Sequence, residues 1–324
     1  MKIRNQNLTW GGAVALALLT QASSGANYIM LNDPGLSTGF EQRWNDPNIW
    51  SLDSGVDDGA NGIPDGADTF EINRNTGGFP QGSTDLSNEG MPNGHSIAGI
   101  TGTGAPGRDL VLKTADTTIG NLTILASPAS FEIFEERDST LTIDGVISGT
   151  GTLRLTRNGG FTPDGVSPDE LITIGGTVAN TFSGTMELFN NSASEPGFWL
   201  ADKVGAFGQS SLVSLAAPNG AVAGAASLRI SSNAIGGGGA FDDILTLLQL
   251  GENGVLDLDA GVNEVISQLE LDLAGTGTFT AVGPGTYDNT APWITGPGLV
   301  TVIPEPSSLA FAALSFLCLA RRKR

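Results

Sequence analysis

The 324-residue sequence contains one cysteine and one histidine. The cysteine, Cys318, lies in an apolar stretch near the end, so the rest of the chain has no disulfide and must be held by a large hydrophobic core. The histidine, His95, sits in Asn93-Gly94-His95-Ser96, so any histidine-dependent acid/base or triad chemistry would have to pass through a glycine-containing loop. A solvated loop histidine is the expectation there. Basic residues are also scarce. There are 15 Lys and Arg against 34 Asp and Glu, and six of the basic ones (Lys2, Arg4, Arg321, Arg322, Lys323, Arg324) occupy the two ends, leaving nine against 34. Such a surface repels phosphate backbones and anionic polymers, which disfavours nucleic acid and charge-driven capture of polyuronates and leaves calcium or neutral sugars as easier ligands. Apolar runs of the roughly 20 residues that span a bilayer are missing too. The two apolar runs at the ends, Gly11 to Leu19 and Leu309 to Ala320, are both shorter.

What the chain has instead is a strand period. Between residues 110 and 302 apolar side chains recur two apart: Leu141 and Ile143, Leu153 and Leu155, Ile172 and Ile174, Met186 and Leu188, Val213 and Leu215, Leu228 and Ile230, Leu256 and Leu258, and Leu269, Leu271 and Leu273. Turn residues separate them, including Asp144-Gly145, Asn158-Gly159-Gly160, Asn219-Gly220, Gly236 to Gly239 and Asn253-Gly254. Many short strands and few helix-length patterns predict an all-β protein. The segment Ile147-Ser148-Gly149-Thr150-Gly151-Thr152-Leu153 returns as Leu273-Ala274-Gly275-Thr276-Gly277-Thr278-Phe279, which points to stacked, similar rungs. Residues 27–109 are richer in Gly, Asn, Asp and Pro and hold Trp44 and Trp50, so they read as a loop-rich cap over the open end of the region 110–302.

Within Leu141 to Leu200, the Ile-Ser-Gly-Thr-Gly-Thr-Leu segment is followed by Ile172-Thr173-Ile174-Gly175-Gly176 and by Asn180-Thr181-Phe182-Ser183-Gly184-Thr185. This resembles the passenger-associated β-strand repeats of autotransporters, which form a right-handed parallel β-helix. The resemblance implies a solenoid with small residues at its corners and inward Leu, Ile and Val as a continuous core. A β-sandwich is the alternative.

The ends carry addresses. Residues 1–26 combine a basic start (Lys2, Arg4), a short apolar core and a small-residue pattern ending Ser23-Ser24-Gly25-Ala26, with Ser24 and Ala26 placed before a cut. That is a secretory signal removed by signal peptidase. At the other end Pro304, Glu305 and Pro306 precede Ser307, Ser308, the uncharged run Leu309 to Ala320, and then Arg321, Arg322, Lys323 and Arg324. The prolines remove backbone donors and favour an extended segment, the apolar run suits a membrane helix, and the cations stay on the cytoplasmic side. The order resembles the PEP-CTERM sorting signal of exosortase systems, carried by residues 303–324. The resemblance implies Pro304, Glu305 and Pro306 as the recognition motif, residues 309–320 as the membrane segment and Arg321 to Arg324 as the basic stop. Its implied partner is a membrane-embedded, transpeptidase-like enzyme that processes the tail near the motif. The apolar run is short for a full span, a shortfall that snorkelling arginines or a thinned bilayer would make up.

Catalytic candidates are few. Asp242-Asp243 resembles the paired carboxylates of polygalacturonase-like glycosidases, but no histidine follows it and no Arg-Ile-Lys segment lies downstream, so it reads as a turn. Asp57 to Asp68 fits part of the calcium-loop template: Asp57, Asn61, Asp65 and Asp68 stand at ligand positions one, five, nine and twelve and Gly62 at the turn. Gly59 leaves the third ligand position without an oxygen, Asp68 replaces the usual Glu, and no helices flank it, so a hydrated turn is the expectation and no metal or other cofactor is assigned. The sequence therefore predicts an exported, non-catalytic surface or extracellular-matrix protein associated with extracellular polysaccharide. The alternatives are a carbohydrate-active enzyme and a sugar- or calcium-binding module on the same scaffold.

Overall fold

The computed structural model describes residues 25–30, 42–57, 61–73, 86–88, 91–92, 94–103, 108–113, 116–125, 130–135, 139–157, 171–192, 196–215, 225–234, 239–241 and 246–303. Among these residues the only helical elements are two 3-10 turns, Pro47–Ile49 and Ser232–Ala234, and the rest of the regular structure is β. The all-β expectation holds.

Among the described residues the strands form a 12-stranded sheet, a 10-stranded sheet and a small three-stranded sheet. From Thr69–Asn73 onward the chain visits the two large sheets in alternation: Leu86–Ser87 lies in the second, His95–Thr103 in the first, Arg108–Leu112 in the second, Thr117–Ile124 in the first and Ser130–Glu135 in the second. Neighbours within each large sheet are consequently strands from successive passes, and they run parallel. One pass spans as few as 21 residues, from Leu247 to Gln268, and as many as 44, from Gln42 to Leu86. Among the described residues antiparallel pairs are confined to the ends of the sheets: Asn27–Met30 with Trp50–Ser54, Gln268–Leu271 with Thr280–Ala281, and Gly285–Tyr287 with Leu299–Val302.

Parallel register turns the period of two into files of buried side chains. In the 10-stranded sheet Phe131, Leu153, Met186, Val213, Leu248 and Leu269 lie side by side, each 1% exposed or less. In the 12-stranded sheet Ile97, Ile119, Ile143, Ile174, Ala201, Ile230 and Leu258 form one file, and Leu141, Ile172, Trp199, Leu228, Leu256 and Ile294 form the next. These files merge into one core cluster running from Ala26 to Val302. Burying each Leu or Ile contributes about 1.5–3 kcal/mol, so the stack has the apolar core that a chain without disulfides needs. Trp199 is accommodated by small residues on both sides along its strand. Its ring folds back over Gly197, where a Cβ would lie 2.8 Å from the indole, and Ala201 follows two residues later.

Backbone strands of successive passes come close at the corners. A Cβ on Gly149 (φ +104°) would meet the Ile124 carbonyl oxygen, and one on Gly176 (φ +92°) the Asp144 carbonyl oxygen, so both positions need glycine for space as well as for backbone angle.

Two expectations change here. Ile147 to Leu153 and Leu273 to Phe279 are not equivalent rungs. Ile147 is fully buried in a strand paired with Thr117–Ile124, whereas Leu273 is 47% exposed in a turn. The cause is Asp272, whose carboxylate accepts the Thr276 N–H at 3.0 Å and the Gly277 N–H at 2.6 Å and so closes the Gly-Thr-Gly segment on itself. The region 27–109 also does more than cover an end. His95–Thr103 pairs with Thr117–Ile124 over seven residue positions, so the sheet runs across residues 109 and 110 without a break. Trp44 and Trp50 are buried in that region, with Trp44 packed edge-on against Phe70.

Candidate sorting site and buried polar groups

Polar residues placed on the inward parity of a strand are forced to find partners inside. Glu135 follows Phe131 and Ile133, and Arg157 follows Leu153 and Leu155, on strands that lie side by side. Their side chains are 1% and 2% exposed and meet at 3.2 Å, with Ser139 donating to Glu135 and Arg157 donating to the Pro196 carbonyl. Glu264 lies between inward Val262 and Ile266 and is 1% exposed. It accepts the backbone N–H of Ala240 at 3.0 Å and of Phe241 at 3.4 Å, fixing the chain just after the glycine run. Burial pushes its carboxyl up to about 7, while these two N–H groups pull the other way. Lys203 is buried at a corner and donates to the Gly145 carbonyl at 2.7 Å and to Asn180 Oδ1 at 2.8 Å. Burial lowers its ammonium to about 8, opposed by the charge of Asp144. None of these groups was singled out from the sequence, although for Glu135, Arg157 and Glu264 the signal was there: a charge on the apolar parity of a strand.

His95 corrects the expectation of a solvated loop. It begins the strand His95–Thr103 on the inward side, is 7% exposed and lies edge-on to Trp44 at 5.0 Å. Its Nε2 is 3.4 Å from the Thr117 hydroxyl, and its Nδ1 is buried without a hydrogen-bond partner. Burial lowers its pKa.

The acidic loop spends oxygens on hydrogen bonds within the protein. Asp57 accepts the Gly62 N–H at 2.7 Å, Asn61 accepts the Ile63 N–H and donates to Asp65, and Asp68, fully buried, accepts the N–H groups of Ala26 and Asp65. Among the described residues no group of three or more His, Cys, Asp or Glu is arranged to hold a metal ion. Asp242 and Asp243 lie outside the described residues.

At the amino end Ser24 lies outside the described residues, and Ala26 is buried, with its carbonyl accepting the Thr69 N–H at 2.9 Å. A chain cut after Ala26 gives up that contact and the one to Asp68. At the carboxyl end Leu299–Val302 is the middle strand of the three-stranded sheet, and the Ile303 N–H donates to the Ile266 carbonyl at 2.9 Å. Pro304, Glu305 and Pro306, the run 309–320 and Arg321, Arg322, Lys323 and Arg324 all lie outside the described residues.

Residues 302–324 match the PEP-CTERM protein-sorting motif. The match takes in the Pro-Glu-Pro triplet, the apolar run and the basic end. A PEP-CTERM motif supports an exported protein, sorted at the envelope as the substrate of an exosortase-type enzyme. Neither the curated proteins nor the solved structures gave a match to the chain. Among the described residues no helix is long and apolar enough to cross a membrane, and the PEP-CTERM apolar run is not among those residues.

Proposed function

We propose that this chain is a non-catalytic surface or extracellular-matrix protein: a right-handed parallel β-helix delivered to the envelope by its PEP-CTERM tail, processed there by an exosortase-type enzyme and associated with extracellular polysaccharide. The observation that carries the reading is the sorting motif at 302–324, joined directly to a long parallel stack. A signal peptide in residues 1–26 supplies the export step and residues 309–320 the transient membrane segment.

Two facts support the β-helix. Strands from successive passes pair in parallel on both large sheets, whereas sandwich sheets are built from antiparallel neighbours. A crossover between parallel strands of one sheet is right-handed in about 98% of cases, which gives the hand. The structural role is supported by how the buried charges are used. Glu135 and Arg157 neutralise one another, Glu264 holds backbone N–H groups and Lys203 holds a backbone carbonyl and Asn180, so each is committed to fixing the fold.

The test is a triple substitution of Pro304, Glu305 and Pro306 to alanine, expressed in the native host. The expected result is a chain that keeps Arg324, stays in the membrane fraction and is lost from the matrix, while the unaltered chain is shortened and found with extracellular polysaccharide. Equal shortening and equal matrix retention of both would overturn the sorting role. Turnover of any neutral or anionic polysaccharide by the purified body would overturn the non-catalytic one.

A further inference from the structure

We infer that Lys203 and Asn180 become joined by an isopeptide bond, a covalent staple between two successive passes of a chain that has a single cysteine.

The two residues sit where the chain leaves the 12-stranded sheet. Asn180 follows the strand Ile172–Ile174 and Lys203 the strand Gly197–Ala201, and these strands are parallel neighbours, with Ile174 opposite Ala201. Backbone bonds hold the turns in place beside the pair: the Asn180 N–H donates to the Gly205 carbonyl at 3.0 Å and the Thr181 N–H to the Ile147 carbonyl at 2.9 Å. The side chains of Asn180 and Lys203 are 2% and 3% exposed. Lys203 Nζ lies 2.8 Å from Asn180 Oδ1 and 2.7 Å from the Gly145 carbonyl oxygen. Asn180 Cγ is one C=O bond, about 1.23 Å, beyond Oδ1, so the amine is within about 4 Å of the carbon it attacks. Rotation about the last bonds of the lysine brings it to the roughly 3–3.5 Å of a near-attack contact.

Three features favour bond formation over a lasting hydrogen bond. The amine must be neutral to attack, and burial lowers the Lys203 ammonium to about 8, opposed by the charge of Asp144. The amide oxygen needs a fixed donor where negative charge builds up, and Asn180 Oδ1 accepts the Ile147 N–H at 2.8 Å. The amide plane must be held still, and Asn180 Nδ2 donates to the Ala206 carbonyl. Amides resist amines in water, but groups positioned in this way reach effective molarities of about 10⁵–10⁸ M. In the reaction the Lys203 Nζ–Asn180 Cγ bond forms and the Cγ–Nδ2 bond breaks. Nζ gives up one proton, Nδ2 takes one, and ammonia leaves, with no oxidant or other reactant consumed. Asp144, the carboxylate whose charge acts on the amine, carries the proton between them.

The experiment is peptide mass analysis of the purified full-length chain, unfolded and digested with trypsin after it has folded. Trypsin cuts after Arg157, Lys203 and Arg229, with no basic residue between them. The expected product is one peptide of residues 158–229, uncut after Lys203, lighter than its calculated mass by one ammonia and without backbone fragments from inside the loop 180–203. Separate peptides 158–203 and 204–229 at their full calculated masses overturn the inference. Loss of ammonia with Lys203 still cut overturns it too, since that is the mark of an asparagine cyclised on its own backbone. Lys203→Arg keeps the cation and its donors but has no nucleophilic amine. It is expected at full mass and with a lower thermal midpoint than the unaltered chain, and the same loss of ammonia in this variant counts against the bond. Should the variant fail to fold, the peptide masses of the unaltered chain decide alone.

Discussion

Glu264 shows how one residue ties local sequence to solution behaviour. Its carboxyl titrates near 4.5 when unfolded and at about 7 in the folded chain. Below about pH 4.5 it is protonated in both states. As pH rises from there the unfolded chain releases its proton first, so folding loses ground until about pH 7 and then levels off, by on the order of 3 kcal/mol in total. Urea midpoints of Glu264→Gln are expected to lack this fall, and an unchanged pH profile would refute the assignment. Arg157 belongs to the same scale. Arg157→Met leaves Glu135 buried without its cation and is expected to cost about 3–5 kcal/mol, whereas changing both residues to apolar ones of similar volume recovers most of that loss. A double-mutant cycle by chemical denaturation measures the difference. Gly197 is a packing prediction: Gly197→Val drives a side chain into the Trp199 ring and is expected to lower the thermal midpoint by several degrees, with a matching change in indole fluorescence.

Among elements, the strands of alternating apolar residues were legible. Leu153 and Leu155, Met186 and Leu188, or Leu228 and Ile230 are buried as their spacing requires, because a period of two leaves only one face for them. Leu155→Ala, with a fully buried side chain at the centre of a file, is expected to cost about 2–5 kcal/mol in equilibrium unfolding. The Gly-Thr-Gly words were not legible in the same way. Glycine and threonine tolerate both strand and turn, and the second word was closed into a turn by the carboxylate of Asp272, where the first has Val146 and no side-chain acceptor. An acidic loop that counts well against a ligand template can likewise use its carboxylates for turns, as Asp57 and Asp68 do, since a backbone N–H is as good a partner as a cation.

In the β-helix proposed for the whole molecule, each pass touches mainly the passes before and after it, so stability is close to a sum of rungs and interfaces. The ends should therefore open first. Amides of Trp50–Ser54 and Gly285–Tyr287 are expected to exchange hydrogen faster than those of Thr152–Arg157, which is paired on both sides, and uniform protection across the three would contradict a one-dimensional stack.

Composition and order along the chain determined what depends on near neighbours: strand periodicity, the acidic balance, the absence of disulfides and the linear address at residues 304–324, because each is a property of a few adjacent residues or of their totals. The tertiary structure alone decided which pass lies beside which. Lys203 meets the carbonyl of Gly145 from 58 residues away, His95 turns inward against Trp44, and Ile303 is tied to Ile266. Passes differ in length by many residues, so the partner of a given side chain is fixed by the register of the sheet rather than by a constant spacing.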